Sequence, residues 1–176
     1  MPNWCYNNIT IRGSSAEIAA IEKFLEERKG ENWFDYFRPM PEEIKNTDSA
    51  WYGWAIDNWG TKWNCTATDW TVYEGEISFT FDSPWGPPIA LYEFISNEYE
   101  DLFIQAEYSE EGMGFVGEFI DGEDNYYEYE DLEDLDYIPE NLVENWNLRE
   151  MLEDRKDEYE DEGEEEKPDS EGSQKS

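Results

Sequence analysis

Four tryptophans fall within 13 positions in Trp51-Tyr52-Gly53-Trp54 and Asn58-Trp59-Gly60-Thr61-Lys62-Trp63-Asn64-Cys65, a density with two readings. Trp brings a large apolar area and an N–H that readily finds a partner, so such a run suits a hydrophobic cluster that holds a long segment down. Trp is also enriched at interface hot spots and stacks on flat ligands and cations, which makes Trp51, Trp54, Trp59 and Trp63 a candidate recognition surface. Lys62 is one of seven basic residues before Gly122, and it either contacts an anion there or pairs with a neighbouring carboxylate. A second dense stretch, Phe81-Asp82-Ser83-Pro84-Trp85-Gly86-Pro87-Pro88, reads first as a rigid strand-to-helix corner, because adjacent prolines fix backbone geometry. Its position at a helix start, where anions are favoured, adds Trp85 to the candidate surface.

Most enzyme chemistry lacks its residues here. The chain contains no histidine, which removes His-based triads, His general bases and His-containing zinc sites. Neither a Walker loop nor a dinucleotide fingerprint occurs. Cys5 and Cys65 are the only two cysteines, too few for a zinc site or a disulfide framework, and read as buried free thiols. Asp121-Gly122-Glu123-Asp124-Asn125 is similar to the start of a calcium loop, but it lacks the sixth-position glycine and carries Leu132 at the twelfth position. It reads as a solvated acidic turn. Carboxylate pairs for glycoside hydrolysis arise by chance among 46 acids, and their separation is a structural quantity. The sequence therefore assigns no catalytic residue, no cofactor and no metal ligand.

Charge sets the partner class. Twelve Lys and Arg against 46 Asp and Glu give a formal charge of −34 at pH 7. Phosphate recognition needs clustered cations to displace counterions, so direct DNA or RNA binding is disfavoured and a basic protein partner is favoured. The same charge repels an anionic leaflet, and no run approaches the ~20 apolar residues of a membrane span. The opening MPNWCYNNITIRG has neither the basic start nor the apolar run of a secretory leader, so the expected location is cytoplasmic.

The elements that must position these residues follow from periodicity. Cys5, Asn7, Ile9 and Ile11 alternate with Trp4, Tyr6, Asn8 and Thr10, as in a strand that ends at Gly13. Ser14 and Glu17 fit a capping box ahead of Ile18, Ile21 and Leu25 on one helical face, and Gly30 stops that helix. Residues 31–60 have no clean period and read as a long Trp-rich insertion. Strand-type runs over Trp63 to Val72 and Glu76 to Phe81 flank the hairpin signal Glu74-Gly75. Pro88 opens a helix carrying Leu91, Phe94 and Ile95, and Leu102 to Tyr108 and Met113 to Ile120 alternate as two further strands.

The order β-α-β-β-α-β-β contains the split βαβ arrangement, an antiparallel sheet with two helices on one face. The predicted class is α+β, a ferredoxin-like βαββαβ sandwich over residues 1–121 with an extra C-terminal strand and the Trp-rich insertion before strand 2. An acidic extension follows, in which 23 acids stand against five bases. Within it, residues 122–159 carry a helix with Leu148, Leu152 and Tyr159 on one stripe, and 160–176 read as a disordered acidic tail.

As a set, several of these pieces resemble the YubB-type ferredoxin-like domain, a family found mainly in phage and plasmid accessory proteins. They are Met1-Pro2-Asn3-Trp4-Cys5-Tyr6-Asn7 with its Ile-rich strand, Phe37-Arg38-Pro39-Met40-Pro41-Glu42-Glu43, Asn58-Trp59-Gly60-Thr61-Lys62-Trp63, Ser83-Pro84-Trp85-Gly86-Pro87-Pro88 and Gly114-Phe115-Val116-Gly117. The resemblance implies the fold and a mobile-element context, and it transfers no catalytic residue. The proline corner departs from the pattern by an extra Trp-Gly, and the extension after Asp121 lies outside it.

The expected function is a non-enzymatic phage- or plasmid-type accessory protein: an acidic module that binds a basic nucleic-acid-binding or defence protein of the host, with DNA mimicry as one route. Duplex DNA presents one negative charge per ~1.7 Å of axis, a pattern that only ordered acids can hold. Glu93, Glu107 and Glu118 on the domain and Glu144, Glu150 and Glu153 on the predicted helix are the candidate mimic charges. The alternatives are acids that serve solubility alone, a ligand-binding module built on the Trp-rich surface, and an enzyme using a carboxylate pair.

Overall fold

The computed structural model describes residues 1–165, with side-chain surroundings through Tyr159. The chain divides into two compact units, the first being Met1–Glu128 and the second beginning at Tyr129.

In the first unit β1 (Trp4–Arg12), β2 (Thr68–Tyr73), β3 (Glu76–Pro84), β4 (Phe103–Glu110), β5 (Phe115–Ile120) and β6 (Glu123–Glu128) form one antiparallel sheet in the order β2-β3-β1-β4-β5-β6. The first four strands have the ferredoxin-like order, and β5 and β6 extend it as successive hairpins. Register places Ile9 opposite Phe79 and Ala106, and Ile11 opposite Ile77 and Ile104. Because side chains alternate along a strand, these residues share the inner face, while Trp4, Tyr6, Asn8, Thr10 and Arg12 share the outer one. Helices α1 (Ser15–Arg28) and α4 (Ile89–Glu98) bring Ile18, Ile21, Leu25, Leu91, Tyr92 and Ile95 into the same core as the inner strand residues.

Local chemistry explains the boundaries. Ser14 caps α1 through its side chain, and the Glu17 carboxylate accepts the Ser14 backbone N–H at 2.9 Å. That bond holds the Glu17 carboxyl below its ordinary value. Lys29 and Gly30, at φ of 53° and 79°, end the helix in the left-handed region.

In the first unit three sequence expectations change. Residues 31–60 are not irregular throughout: they hold a 3-10 turn (Trp33–Tyr36), a short α2 (Glu42–Lys45) and α3 (Ala50–Trp59). Gly53, three tryptophans and two aspartate or asparagine residues give α3 weak intrinsic propensity, so burial of Ala55 and Trp59 holds it. The strand expected from Trp63 starts at Thr68, with a register shift between Thr68 and Thr71. The sheet also continues past Asp121. Asp121 and Gly122, at φ of 50° and 85°, make the two-residue turn that pairs Ile120 with Glu123 and adds β6, so the first unit runs to Glu128.

The second unit contains a 3-10 turn (Asp134–Tyr137), α5 (Glu140–Asn145) and α6 (Leu148–Glu165). The one helix expected within residues 122–159 is instead two, separated at Asn147, which adopts φ 50°. Helix α6 continues through residues 160–165, where a disordered tail was expected; the rest of that stretch lies outside the described residues. Leu135, Leu142, Val143, Leu148 and Leu152 are buried, and α5 packs against α6. The Asp134 carboxylate accepts the backbone N–H of Glu130 and Asp131, which holds its carboxyl below the ordinary range.

A candidate interaction surface

The surface is built where α3 ends, β1 begins and β3 leaves the sheet. Gly60, at φ 85°, caps α3 and turns the chain. The buried Thr61 hydroxyl then donates to the Trp63 carbonyl at 3.0 Å. On the other side, the Trp85 N–H donates to the Asn3 carbonyl at 2.8 Å, and the Ser83 hydroxyl donates to the Gly86 carbonyl at 2.7 Å. Between these segments lies a cleft of about 710 Å³ that Trp51, Tyr52, Ile56, Lys62 and Trp85 line together. The strand-to-helix corner and the end of the Trp-rich segment thus meet.

A buried polar network fixes the corner. The Asn7 amide donates to the Ser83 hydroxyl at 2.8 Å, and the Tyr92 hydroxyl donates to Asn7 Oδ1 at 3.1 Å. All three residues are buried, so β1, β3 and α4 are tied at one point, and burial pushes the Tyr92 phenol well up. Trp85 itself sits in the left-handed region at φ 69° with 52% of its surface exposed. A bulky residue held there stores strain, and it persists because the neighbouring bonds over-determine the corner.

The six residues read from the sequence separate into two roles. Trp59 is core: it is buried, its Nε1–H donates to the Arg38 carbonyl at 2.8 Å, and its ring meets Phe34 at 5.4 Å. Trp54 packs at right angles on Trp59 at 5.2 Å. Trp51, Lys62 and Trp85 line the cleft. Trp63 lines a smaller neighbouring pocket of about 320 Å³ with Trp4, their rings 6.3 Å apart. The Lys62 ammonium lies 4.9 Å from the Trp63 ring centroid and makes no ion pair among the described residues.

Sequence reasoning missed Trp4, Tyr52, Ile56 and Asp82. The signal for Trp4 was available: the alternation that sends Cys5, Asn7 and Ile9 inward sends Trp4 and Tyr6 outward, and both are exposed.

Other candidate groups are placed elsewhere. Glu93 is exposed on α4, which covers the inner face of the sheet. Glu107 and Glu118 face each other across β4 and β5 in the outer-face register, so the three do not share one surface. Glu144, Glu150 and Glu153 are exposed in the second unit. The calcium-like stretch from Asp121 forms the β5–β6 turn, with the Asp124 carboxylate accepting the Tyr108 hydroxyl at 2.6 Å. Among the described residues no group of three or more His, Cys, Asp or Glu side chains is placed to hold a metal ion. Cys5 and Cys65 are free and buried, and burial pushes both thiols up, away from thiolate chemistry.

Fold and surface first define a class: a ferredoxin-like α+β protein with an exposed aromatic cleft at one end of its sheet. The family described as "Ferredoxin-like domain in Api92-like protein" matches residues 58–170, more than half the chain. The chain belongs to that family. The matched stretch begins inside α3 and includes Lys62, Trp63, Asp82 and Trp85. No curated protein matches. Among solved structures the chain is similar to the crystal structure of a protein api92 from Yersinia pseudotuberculosis, at 19% identity and a TM-score of 0.40 over 55% of this chain and 39% of that one. The chain thus spans about two fifths of that relative's length.

Proposed function

We propose that this protein is a non-enzymatic binding module that engages a basic protein through the aromatic surface around Trp85, with its carboxylates steering the approach. One observation carries the reading: Trp4, Tyr6, Tyr52 and Trp85 are each at least 41% exposed, in a chain of net charge −34. Aromatic anchors supply most of the binding energy at protein interfaces, and a strong field of one sign speeds encounter with partners of the other. Trp85 is held exposed at a conformational cost, and strain of that kind concentrates where a surface is used.

Within that reading, contact through the aromatic surface is favoured over DNA mimicry as the route, because Glu93 lies across the sheet from Glu107 and Glu118 rather than in line with them. The YubB-type resemblance of the motifs supports a phage or plasmid accessory role. The absence of histidine and the two buried thiols support a non-enzymatic role. The cytoplasm is the proposed location; among the described residues, no helix is long and apolar enough to cross a membrane.

Capture from a host lysate tests the proposal, run with wild type and Trp85→Gly at about 0.1 and 0.5 M salt, where screening lengths differ about twofold. Wild type is expected to retain basic proteins at low salt and shed them at high salt, and Trp85→Gly to retain few at either. A captured set that is neutral or acidic, or that is identical for the two proteins, overturns the reading.

A further inference from the structure

Three carboxyls among the described residues are pushed above the ordinary range by burial: Asp35, Asp82 and Asp124. Two have partners. Asp35 meets Arg28 at 3.5 Å and accepts the Asn64 amide at 2.9 Å, and Asp124 accepts the Tyr108 hydroxyl. Asp82 is an exposed residue with neither an ion pair nor a side-chain hydrogen bond among the described residues, so its carboxylate is open to a partner from outside the chain. Its setting supplies the other half of a site. Asp82 lines the pocket of about 320 Å³ beside the Trp4 and Trp63 rings, which are 6.3 Å apart and inclined at 57°. The exposed Tyr6 is its direct cross-strand neighbour on β1.

We propose that the Trp4–Trp63–Asp82 pocket receives one arginine side chain of the basic partner, its guanidinium stacked on an indole and forked onto the Asp82 carboxylate. This rests on the binding-module reading above and names the chemistry that the surface selects. Arginine fits better than lysine on physical grounds: its planar, weakly hydrated guanidinium stacks on an aromatic face and offers two parallel N–H donors to one carboxylate. The structure already shows that an indole of this pair accepts a cation, since the Lys62 ammonium lies over the Trp63 ring. Lys62 lines the larger cleft and forms no ion pair with Asp82 among the described residues. The long-range complementarity is that of a chain at −34 with a cationic partner.

The probe is N-acetyl-arginine N-methylamide, titrated into the full chain and followed by the indole N–H resonances in NMR. The Trp4 and Trp63 resonances are expected to move saturably with a dissociation constant on the order of millimolar, while Trp85 stays in place. The neutral citrulline analogue and the lysine analogue are each expected to bind at least about tenfold more weakly, as is the arginine probe to Asp82→Asn, because a charge-assisted bond is lost. The citrulline comparison uses wild type, so it stands even if Asp82→Asn folds poorly. No saturable movement, or equal binding of citrulline, of lysine or by folded Asp82→Asn, overturns the arginine pocket. That failure is separable from failure of the module itself, which would show as partner capture that ignores Trp85.

Discussion

Replacing Trp85 with glycine should leave the fold standing while removing the central contact of the surface. The backbone sits at φ 69°, where a residue with a Cβ costs about 1–2 kcal/mol relative to the right-handed region. Glycine relieves that cost but loses about 0.5–1 kcal/mol more conformational entropy on folding. Losing the packing of an indole that is 52% exposed costs about 1 kcal/mol, roughly half the value for full burial of a large apolar side chain. The N–H that bonds the Asn3 carbonyl is retained, so the three contributions nearly cancel and the net change stays within about 1 kcal/mol of zero. Trp59→Ala is the contrast. It empties a buried site between Phe34 and Trp54 and strips the Arg38 carbonyl of its indole donor, a loss of about 3–5 kcal/mol. Urea unfolding at constant m-value, with thermal melts alongside, reads both. If Trp85→Gly loses more than about 3 kcal/mol, or Trp59→Ala less than about 1 kcal/mol, the division of the tryptophans between contact surface and core is wrong.

A Cβ on Gly117 would lie 2.6 Å from the Asn125 carbonyl oxygen and closer still to the Tyr108 hydroxyl, so Gly117→Ala must displace Tyr108 from Asp124. A loss of about 2–3 kcal/mol in urea midpoint is expected, and an unchanged midpoint would show that the close approach is not real. Asn7→Ala strands the Tyr92 hydroxyl in the core and removes one of two bonds from the Ser83 hydroxyl, which keeps the Gly86 carbonyl, and should cost about 2–4 kcal/mol, against about 1 kcal/mol for Tyr92→Phe; equal losses would argue against a shared network. Asp35, Asp82 and Asp124 are raised by burial, so their contribution to stability is full below the unfolded carboxyl value near ~3.9 and is lost as pH rises through the folded values. Glu17 and Asp134 are lowered, and their contribution is lost only as pH falls below that range. Asp124→Asn should therefore flatten the fall in melting temperature as pH rises through and above ~3.9 while keeping the acceptor for Tyr108, and a profile identical to wild type would refute the upward shift of Asp124.

Local signals with their own chemistry were legible in the sequence. The Ser14 capping box and the Ile9 and Ile11 alternation each satisfy themselves within a few residues, while the α4 stripe holds at Leu91 and Ile95 but buries Tyr92 rather than Phe94 beside them. Helix α3 was not legible, because Gly53 and its tryptophans disfavour an isolated helix and only tertiary burial of Ala55 and Trp59 sustains it. Strand β6 was missed although Asp121-Gly122 is a strong hairpin signal; every β6 residue but Tyr127 is exposed, so no hydrophobic alternation marked the strand. The Trp-rich segment located the surface but did not sort its residues. Which indole faces the core depends on the α3 register and on the Ser83–Gly86 corner, and both are set by residues distant in sequence.

The central claim is that partner binding combines an aromatic anchor at Trp85 with a steering field of carboxylates. The most direct measurement is the dissociation constant of the captured basic partner for wild type and Trp85→Gly, at about 0.05 and 0.5 M salt. The account predicts that added salt weakens wild-type binding at least about tenfold and that Trp85→Gly, still folded, weakens it a further tenfold or more at both salt concentrations. Binding by folded Trp85→Gly that equals wild type at both salt concentrations would contradict it.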